Sequence, residues 1–428
     1  MRVAVYGLWH LGCVTAGCVA ARMENRVVGF DVDESLIANL QKGQPPIEEP
    51  GLRELIGVGL ENGRLSFATS AKEALAGADV LWITFDTPVN ERDEADVGFV
   101  RERLDRIADD IAPGTHVLIS AQVPVGFTRG LARDWASRGL HFVYSPENLR
   151  LGNAIAAFTQ AERAVIGASD SANRELLGKL FAPFARRIEW MSIESAEMTK
   201  HAINAFLATS VTFINEVARL CEVTGADARE VARGLKSEAR IGPRAYLNPG
   251  AAFAGGTLAR DLRFLSAFGH EKHVATPLLQ GALDSNASHL GWLREKVDAA
   301  LRDVTDPTVA LLGLTYKANS STLRRSTAVE LGIWLHEKGV RVRATDPGVS
   351  QLPPEIAGKI ELCPDAAACL AGADLAVGAT EWIQFRSLGA DAFAGAMRKP
   401  VVIDPNWFLA GSLADDRRIS YIATGRSA

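Results

Sequence analysis

Short apolar runs alternate along the chain with longer stretches in which apolar positions recur every three or four residues. Val3-Ala4-Val5-Tyr6, Val27-Val28-Gly29-Phe30, Val80-Leu81-Trp82-Ile83-Thr84, His116-Val117-Leu118-Ile119 and Phe142-Val143-Tyr144 are apolar at nearly every position. That is the pattern of strands covered on both faces, as in a parallel sheet. Amphipathic stretches of helical length separate them, so the connections read as crossover helices. Near Ala185 the alternation stops. Over residues 194–225, Met198, Ala202, Ala205, Phe206, Phe213 and Val217 keep helical spacing with no strand between them. A second helical run covers residues 277–301 and leads into the last part.

The final third returns to strand–helix alternation and echoes the first. Thr308-Val309-Ala310-Leu311-Leu312-Gly313-Leu314 repeats the character of Val3-Ala4-Val5-Tyr6-Gly7-Leu8, and the strand ending at Asp346 that of the strand ending at Asp31. Gly372-Ala373-Asp374-Leu375 repeats Gly77-Ala78-Asp79-Val80, and Pro400-Val401-Val402-Ile403-Asp404 closes as a further strand. The expected fold class is α/β: two doubly wound parallel-sheet domains, 1–190 and 304–428, joined by a helical central domain, 191–303.

Composition narrows the class of protein. The 428 residues carry 46 Lys+Arg against 51 Asp+Glu, a formal net charge of -5, with 47% apolar residues. These values exclude a largely disordered chain, a collagen-like fibre and a disulfide scaffold. The acidic balance offers no footprint for nucleic acid. Cysteines 13, 18, 221, 363 and 369 are odd in number, widely spaced and without a CxxC pair, so neither a disulfide framework nor a metal site is expected. Buried thiols in a reduced, cytoplasmic protein are. Residues 1–21 imitate a signal peptide, but Gly7, Trp9, His10 and Gly12 interrupt the apolar run. No membrane span is expected.

Residues 7–12 read Gly-Leu-Trp-His-Leu-Gly, directly after a strand and before a helix, and Asp31 ends the next strand. This is the frame of a Rossmann-like GxGxxG fingerprint: a tight turn at Gly7, close helix packing at Gly12, and an acid for the adenosine ribose. An Asp there accepts from a ribose 2′-hydroxyl and repels a 2′-phosphate, which favours NAD over NADP. Gly7, Trp9, His10, Leu11, Gly12 and Asp31 are the candidate cofactor residues. Trp9 occupies the position whose glycine normally lets the backbone approach the pyrophosphate, so the indole must turn away or displace the phosphates.

Ordered blocks then extend over residues 7–406. They include Pro46-Ile47-Glu48-Glu49-Pro50-Gly51-Leu52, Thr87-Pro88 with Ala95-Asp96, Gln122-Val123-Pro124-Val125-Gly126 and Ser145-Pro146-Glu147-Asn148-Leu149-Arg150. Glu197-Met198-Thr199-Lys200-His201-Ala202-Ile203-Asn204, Arg240-Ile241-Gly242, Tyr246-Leu247-Asn248-Pro249-Gly250 and Gly255-Gly256-Thr257-Leu258-Ala259-Arg260-Asp261 follow. Gly313-Leu314-Thr315-Tyr316-Lys317 and Ala379-Thr380-Glu381-Trp382 complete the series. In these blocks the chain resembles the UDP-glucose/GDP-mannose dehydrogenases, which oxidise a nucleotide-sugar primary alcohol to a carboxylate with two NAD. The resemblance implies NAD contacts from Thr87, Pro88 and Gln122, and substrate contacts from Arg240, Tyr246, Gly250 and Lys317. It further implies that Lys200 and Asn204, four apart on one helix face, hold the reacting oxygen while Asp261 orders a water. Glu147 is a candidate for acid–base assistance. Relatives pair through the central helices, so a homodimer is expected.

Departures from the family pattern bear on the reaction. Thr257 stands where the family has the cysteine whose thiolate adds to the aldehyde and makes a second hydride transfer possible. A threonine hydroxyl is a far weaker nucleophile, and the sequence shows no dedicated base beside it. Gln122 replaces a threonine, Asn148 an aromatic, Leu151 an acid and Arg260 a lysine, and Asp404-Pro405-Asn406 lacks the arginine that follows the aspartate. The leading expectation is an NAD-dependent oxidoreductase that takes a single hydride from an alcohol bearing phosphate or phosphonate, by resemblance a nucleotide sugar. Complete oxidation to the acid and a non-catalytic nucleotide- or sugar-binding relative are the alternatives.

Overall fold

The computed structural model describes residues 1–22, 26–88, 96–147, 149, 151–254 and 256–426. Ala95, Asn148, Arg150 and Gly255 of the blocks above lie outside the described residues. The chain divides into two compact units, Met1–Ile203 and Asn204–Ala428.

In the first unit, strands β1 (Arg2–Tyr6), β2 (Arg26–Phe30), β3 (Leu65–Ala68), β4 (Val80–Ile83), β5 (His116–Ile119), β6 (His141–Tyr144), β7 (Ala164–Ala168) and β8 (Ile188–Met191) form one sheet. Its order is β3-β2-β1-β4-β5-β6-β7-β8. The first six strands run parallel; β7 meets β6 antiparallel and carries β8 parallel beside it. Strand alternation sends Val3 and Val5 into one core cluster and Ala4 and Tyr6 into another, so both faces are buried. The apolar start of the chain is spent on β1 and on the helix His10–Arg22, whose residues 11–20 are all buried. β3, β7 and β8 are the strands that periodicity missed. Ser66 is exposed in β3, and β8 is half-buried along its whole length, so neither gives a continuous apolar run.

In the second unit, the helices Ala228–Ser237, Thr257–Glu271 and Pro277–Leu301 precede a second sheet. It contains β9 (Thr308–Leu312), β10 (Arg341–Thr345), β11 (Glu361–Leu362), β12 (Leu375–Gly378), β13 (Val401–Ile403) and β14 (Ser420–Ile422). All neighbours are parallel, in the order β11-β10-β9-β12-β13-β14. This is the order of the first six strands of the first sheet, so the repeat in the sequence is a repeat in topology. Its polar anchors recur too. Asp79 accepts the Arg2 N–H at 2.8 Å and returns its own N–H to the Arg2 carbonyl at 2.9 Å. Asp374 does the same with Thr308, at 2.9 and 2.8 Å.

The helix Ile193–Thr224 contains the division between the units. All five cysteines are buried and free. Among the described residues no helix is long and apolar enough to cross a membrane, and no cluster of ligating side chains could hold a metal ion.

Candidate active site

β1 ends in Gly7, whose φ of +100° an L side chain rarely adopts. A Cβ at Gly12 would stand 2.0 Å from the Gly7 carbonyl oxygen. Both glycines are therefore required by the turn itself. The helix His10–Arg22 starts at once, and its first-turn N–H groups have no carbonyl four residues back to bond. An open, positively polarised helix end of this kind suits a pyrophosphate. Trp9 is 50% exposed and has no positive φ, so the position does not demand glycine and the indole lies outside the core. Leu11 is buried in the core. Asp31, half-buried at the end of β2, accepts the Leu8 N–H at 3.0 Å on one oxygen and the Asp33 N–H at 3.2 Å on the other. Lone pairs remain for ribose hydroxyls. Thr87 is buried and donates its hydroxyl to the Gln122 carbonyl at 2.6 Å; Pro88 is exposed and accepts from Asp96. These features fit NAD, with the turn and helix end for the phosphates and Asp31 for the ribose.

Lys200 is almost fully buried on the helix Ile193–Thr224, and its ammonium donates to the Glu147 carbonyl at 2.6 Å. The Glu147 carboxylate turns back to its own loop, accepting the Leu149 N–H at 2.6 Å. The neighbours of Lys200 are anchors that sequence reasoning missed. Glu197 is wholly buried, and its two oxygens accept the Gly126 and Thr128 N–H groups at 2.6 and 3.0 Å. Burial pushes its carboxyl above the usual range, while those N–H groups pull it back. His201 Nε2 bonds the Val123 carbonyl at 3.0 Å. One helical turn thus fixes residues 123–128 at three points and presents Lys200 between them. A second hidden anchor is Glu49, which accepts from Gly152 and Ala154 at 2.8 and 2.9 Å and pairs with His10 Nε2 at 2.9 Å.

In the second unit the Asn204 amide donates to the fully buried Asp261 carboxylate. Asp261 lies one turn into the helix Thr257–Glu271, four residues from Thr257. Thr257 opens that helix and is exposed, and among the described residues its hydroxyl has no hydrogen-bond partner. Gly250 is held two ways, its N–H donating to Asn215 and its carbonyl accepting from His289, and a Cβ there would strike Asn406 Oδ1. Asn406 Oδ1 also accepts the Ala251 N–H at 2.7 Å, so this residue pins the loop. Tyr246 is half exposed, and Arg240 projects into solvent with Glu238 as its partner at 2.9 Å. Lys317 is half-buried in the segment after β9, where its carbonyl accepts from Ser320.

A glycine turn between strand and helix, an acid at the end of the second strand and a buried lysine on a following helix define a dinucleotide-dependent dehydrogenase. The chain belongs to the UDP-glucose/GDP-mannose dehydrogenase family. Its NAD binding domain matches over residues 1–185, its central domain over 194–288 and its UDP binding domain over 310–410. The UDP-glucose 6-dehydrogenase of Pseudomonas aeruginosa is 33% identical, the match covering all of this chain and 98% of that protein. The UDP-glucose 6-dehydrogenase of Rhizobium meliloti is 32% identical over 94% of each chain. Among solved structures, a UDP-glucose dehydrogenase from Pyrobaculum islandicum matches with a TM-score of 0.84 at 30% identity, covering 100% of this chain and 98% of that one. The protein is thus an NAD-dependent oxidoreductase acting on a CH–OH group.

Proposed function

We propose that this enzyme oxidises an alcohol of a nucleotide sugar, or of a related phosphate-bearing substrate, by one two-electron step and releases the carbonyl product. The observation that carries this reading is Thr257, an exposed hydroxyl with no base bonded to it among the described residues; the resemblance sets it at the family's cysteine position. Without thiolate addition the aldehyde has no route to a covalent hydride donor. All five cysteines are buried, and none lies in the segment around Thr257. Burial holds Cys13 and Cys18 up at about 12 and also raises Cys221.

For the first oxidation the chain supplies what is needed. The Lys200 ammonium stabilises negative charge on the carbinol oxygen as its proton leaves. Asn204, oriented by Asp261, donates or accepts at the same oxygen, and Asp261 receives the proton through an ordered water. NAD, when bound, accepts the hydride. The turn at residues 7–12 would hold its pyrophosphate and Asp31 its adenosine ribose, with Thr87, Pro88 and Gln122 as further cofactor contacts. The UDP binding domain and Lys317 support a nucleotide diphosphate as the handle, with Tyr246, Gly250 and Arg240 as further substrate contacts. Glu147, a candidate for acid–base steps of a second oxidation, is not required by this single step.

The active form we infer is a homodimer. Phe206, Phe213 and Leu220 are 69%, 49% and 62% exposed at seven-residue spacing on the helix Ile193–Thr224, a seam that a second copy would cover.

The test is the yield of NADH per UDP-sugar consumed, together with product analysis. One equivalent and a carbonyl product are expected; two equivalents and a carboxylate would refute the reading. Thr257→Cys should then move the yield toward two.

A further inference from the structure

A cavity of about 600 Å3 lies in the second unit, lined by Lys296, Lys399, Arg417, Arg418, Arg426 and Glu222 and by the edge strand β14. Its size is that of an ordinary small-molecule site. Lys399 lies two residues before β13, and Arg417 and Arg418 shortly precede β14, so the cavity sits at the N-terminal ends of these strands. Ligands of doubly wound sheets bind at the opposite, C-terminal ends. The turn at Gly313 and Lys317 belongs to that other end.

The charge in this cavity opposes that of the whole protein. Five cationic side chains face one carboxylate, on a chain of net charge -5. The carboxylate of Glu222 is already saturated: it accepts from Trp292 Nε1 at 2.8 Å and the Gly425 N–H at 3.0 Å, and it pairs with Lys296 at 2.7 Å. Arg418 is held by Asp416 and Asp391, each at 2.7 Å. Arg426 gives one N–H to the Ala414 carbonyl at 2.8 Å. That leaves Lys399 and Arg417, whose side chains have no ion-pair or hydrogen-bond partner among the described residues. The backbone adds a donor. The Ser420 N–H and the Ile422 carbonyl bond to the chain of β13, so the Tyr421 N–H between them points outward from the edge of the sheet, and Tyr421 is among the residues that line the cavity.

We propose that this cavity is a second ligand site that takes a small oligophosphate, separate from the cofactor and substrate sites. Lys399 and Arg417 supply the uncompensated charge, and the Tyr421 N–H supplies a directed hydrogen bond. Because the walls come from β13–β14, the helix Pro277–Leu301 and Glu222, an occupant ties the last strands to the helices beneath them. Occupancy should therefore stabilise the fold.

The probe is inorganic tripolyphosphate, titrated into full-length enzyme saturated with NAD at constant ionic strength while the melting temperature is followed. A saturable rise is expected. Lys399→Ala/Arg417→Ala should weaken the apparent affinity at least about tenfold, as for loss of charge-assisted contacts, with turnover of substrate unchanged. Lys317→Ala should leave the tripolyphosphate effect intact. The proposal is overturned if sodium chloride of equal ionic strength gives the same rise, if the double variant binds as well as the parent, or if Lys317→Ala abolishes the effect.

Discussion

The two doubly wound lobes use one frame for opposite ends. Each has a positive-φ glycine closing its first strand, Gly7 at +100° and Gly313 at +102°, and each places an aspartate at the end of its second strand. Asp31 spends one bond per oxygen on the backbone and stays half-exposed. Asp346 is buried and consumed: its Oδ2 accepts from the N–H of Leu314 and Thr315, the Thr315 hydroxyl and Trp382 Nε1, at 2.6 to 3.0 Å, while Oδ1 accepts from Gly348. In the first lobe the helix begins three residues after the glycine; in the second, residues 314–326 intervene before the helix Thr327–Glu337. That segment carries Lys317 and folds on itself through Tyr316 to Thr322 and Ser326 to Leu314 bonds. One lobe keeps an open helix end and an available acid, which is what a dinucleotide needs. The other has closed both, and offers a basic loop instead.

Exchange of the two acids gives the largest effects and the sharpest way to break this comparison. Asp346→Ala leaves several buried donors without an acceptor and should cost about 3 kcal/mol or more in urea unfolding, with the affinity of the folded fraction for NAD unchanged. Asp31→Ala should cost about 1 kcal/mol of stability yet weaken NAD binding by about 10–100-fold in calorimetry. Equal stability losses, or an NAD defect in Asp346→Ala, would dissolve the distinction between the lobes.

A smaller effect concerns the one departure inside the first turn. Trp9 stands where close approach to a pyrophosphate normally calls for glycine, although the backbone there is unstrained. Trp9→Gly should tighten NAD binding by about 1 kcal/mol, several-fold, and lower stability slightly through the added freedom of the unfolded chain. Weaker binding in that variant would mean that the indole itself contacts the cofactor.

Much of this frame was legible in the sequence because its signals are local. Strands covered on both faces announce themselves as apolar runs, and the long helix and the helix Pro277–Leu301 follow from spacing alone. The pairing of Asp79 with Arg2 and of Asp374 with Thr308 was visible only as a repeated Gly-Ala-Asp, without its purpose. The anchors around Lys200 were not legible. Glu197 finds its partners near residue 126, Glu49 near residue 153, and a buried carboxylate facing distant N–H groups leaves no periodic trace. The closure of Asp346 was hidden for the same reason, since Trp382 reaches it from the segment after another strand, β12. β14 was missed because a three-residue strand carries little pattern.

The smallest expected effect separates the units by their response to acid. In the first unit the loop beside Lys200 is held by a carboxylate, Glu197, which accepts N–H groups whenever it is ionised. In the second, the loop at Gly250 depends on His289, whose Nε2 donates to the Gly250 carbonyl at 2.8 Å while Nδ1 is buried without a partner. Burial pushes this imidazole below its ordinary value, with the bond to Gly250 opposing. The unfolded chain therefore takes up the proton first as pH falls. Stability from this group is complete above the ordinary histidine value of about 6.5 and is lost as pH drops from there toward the lowered folded value. His289→Gln keeps a donor for Gly250 but cannot titrate. Its melting temperature should fall less steeply than that of the parent between neutral pH and the lowered value, by a fraction of the Asp346→Ala effect. Parallel curves for variant and parent would place the acid sensitivity of the second unit elsewhere, and the contrast in how the two loops are pinned would have no consequence in solution.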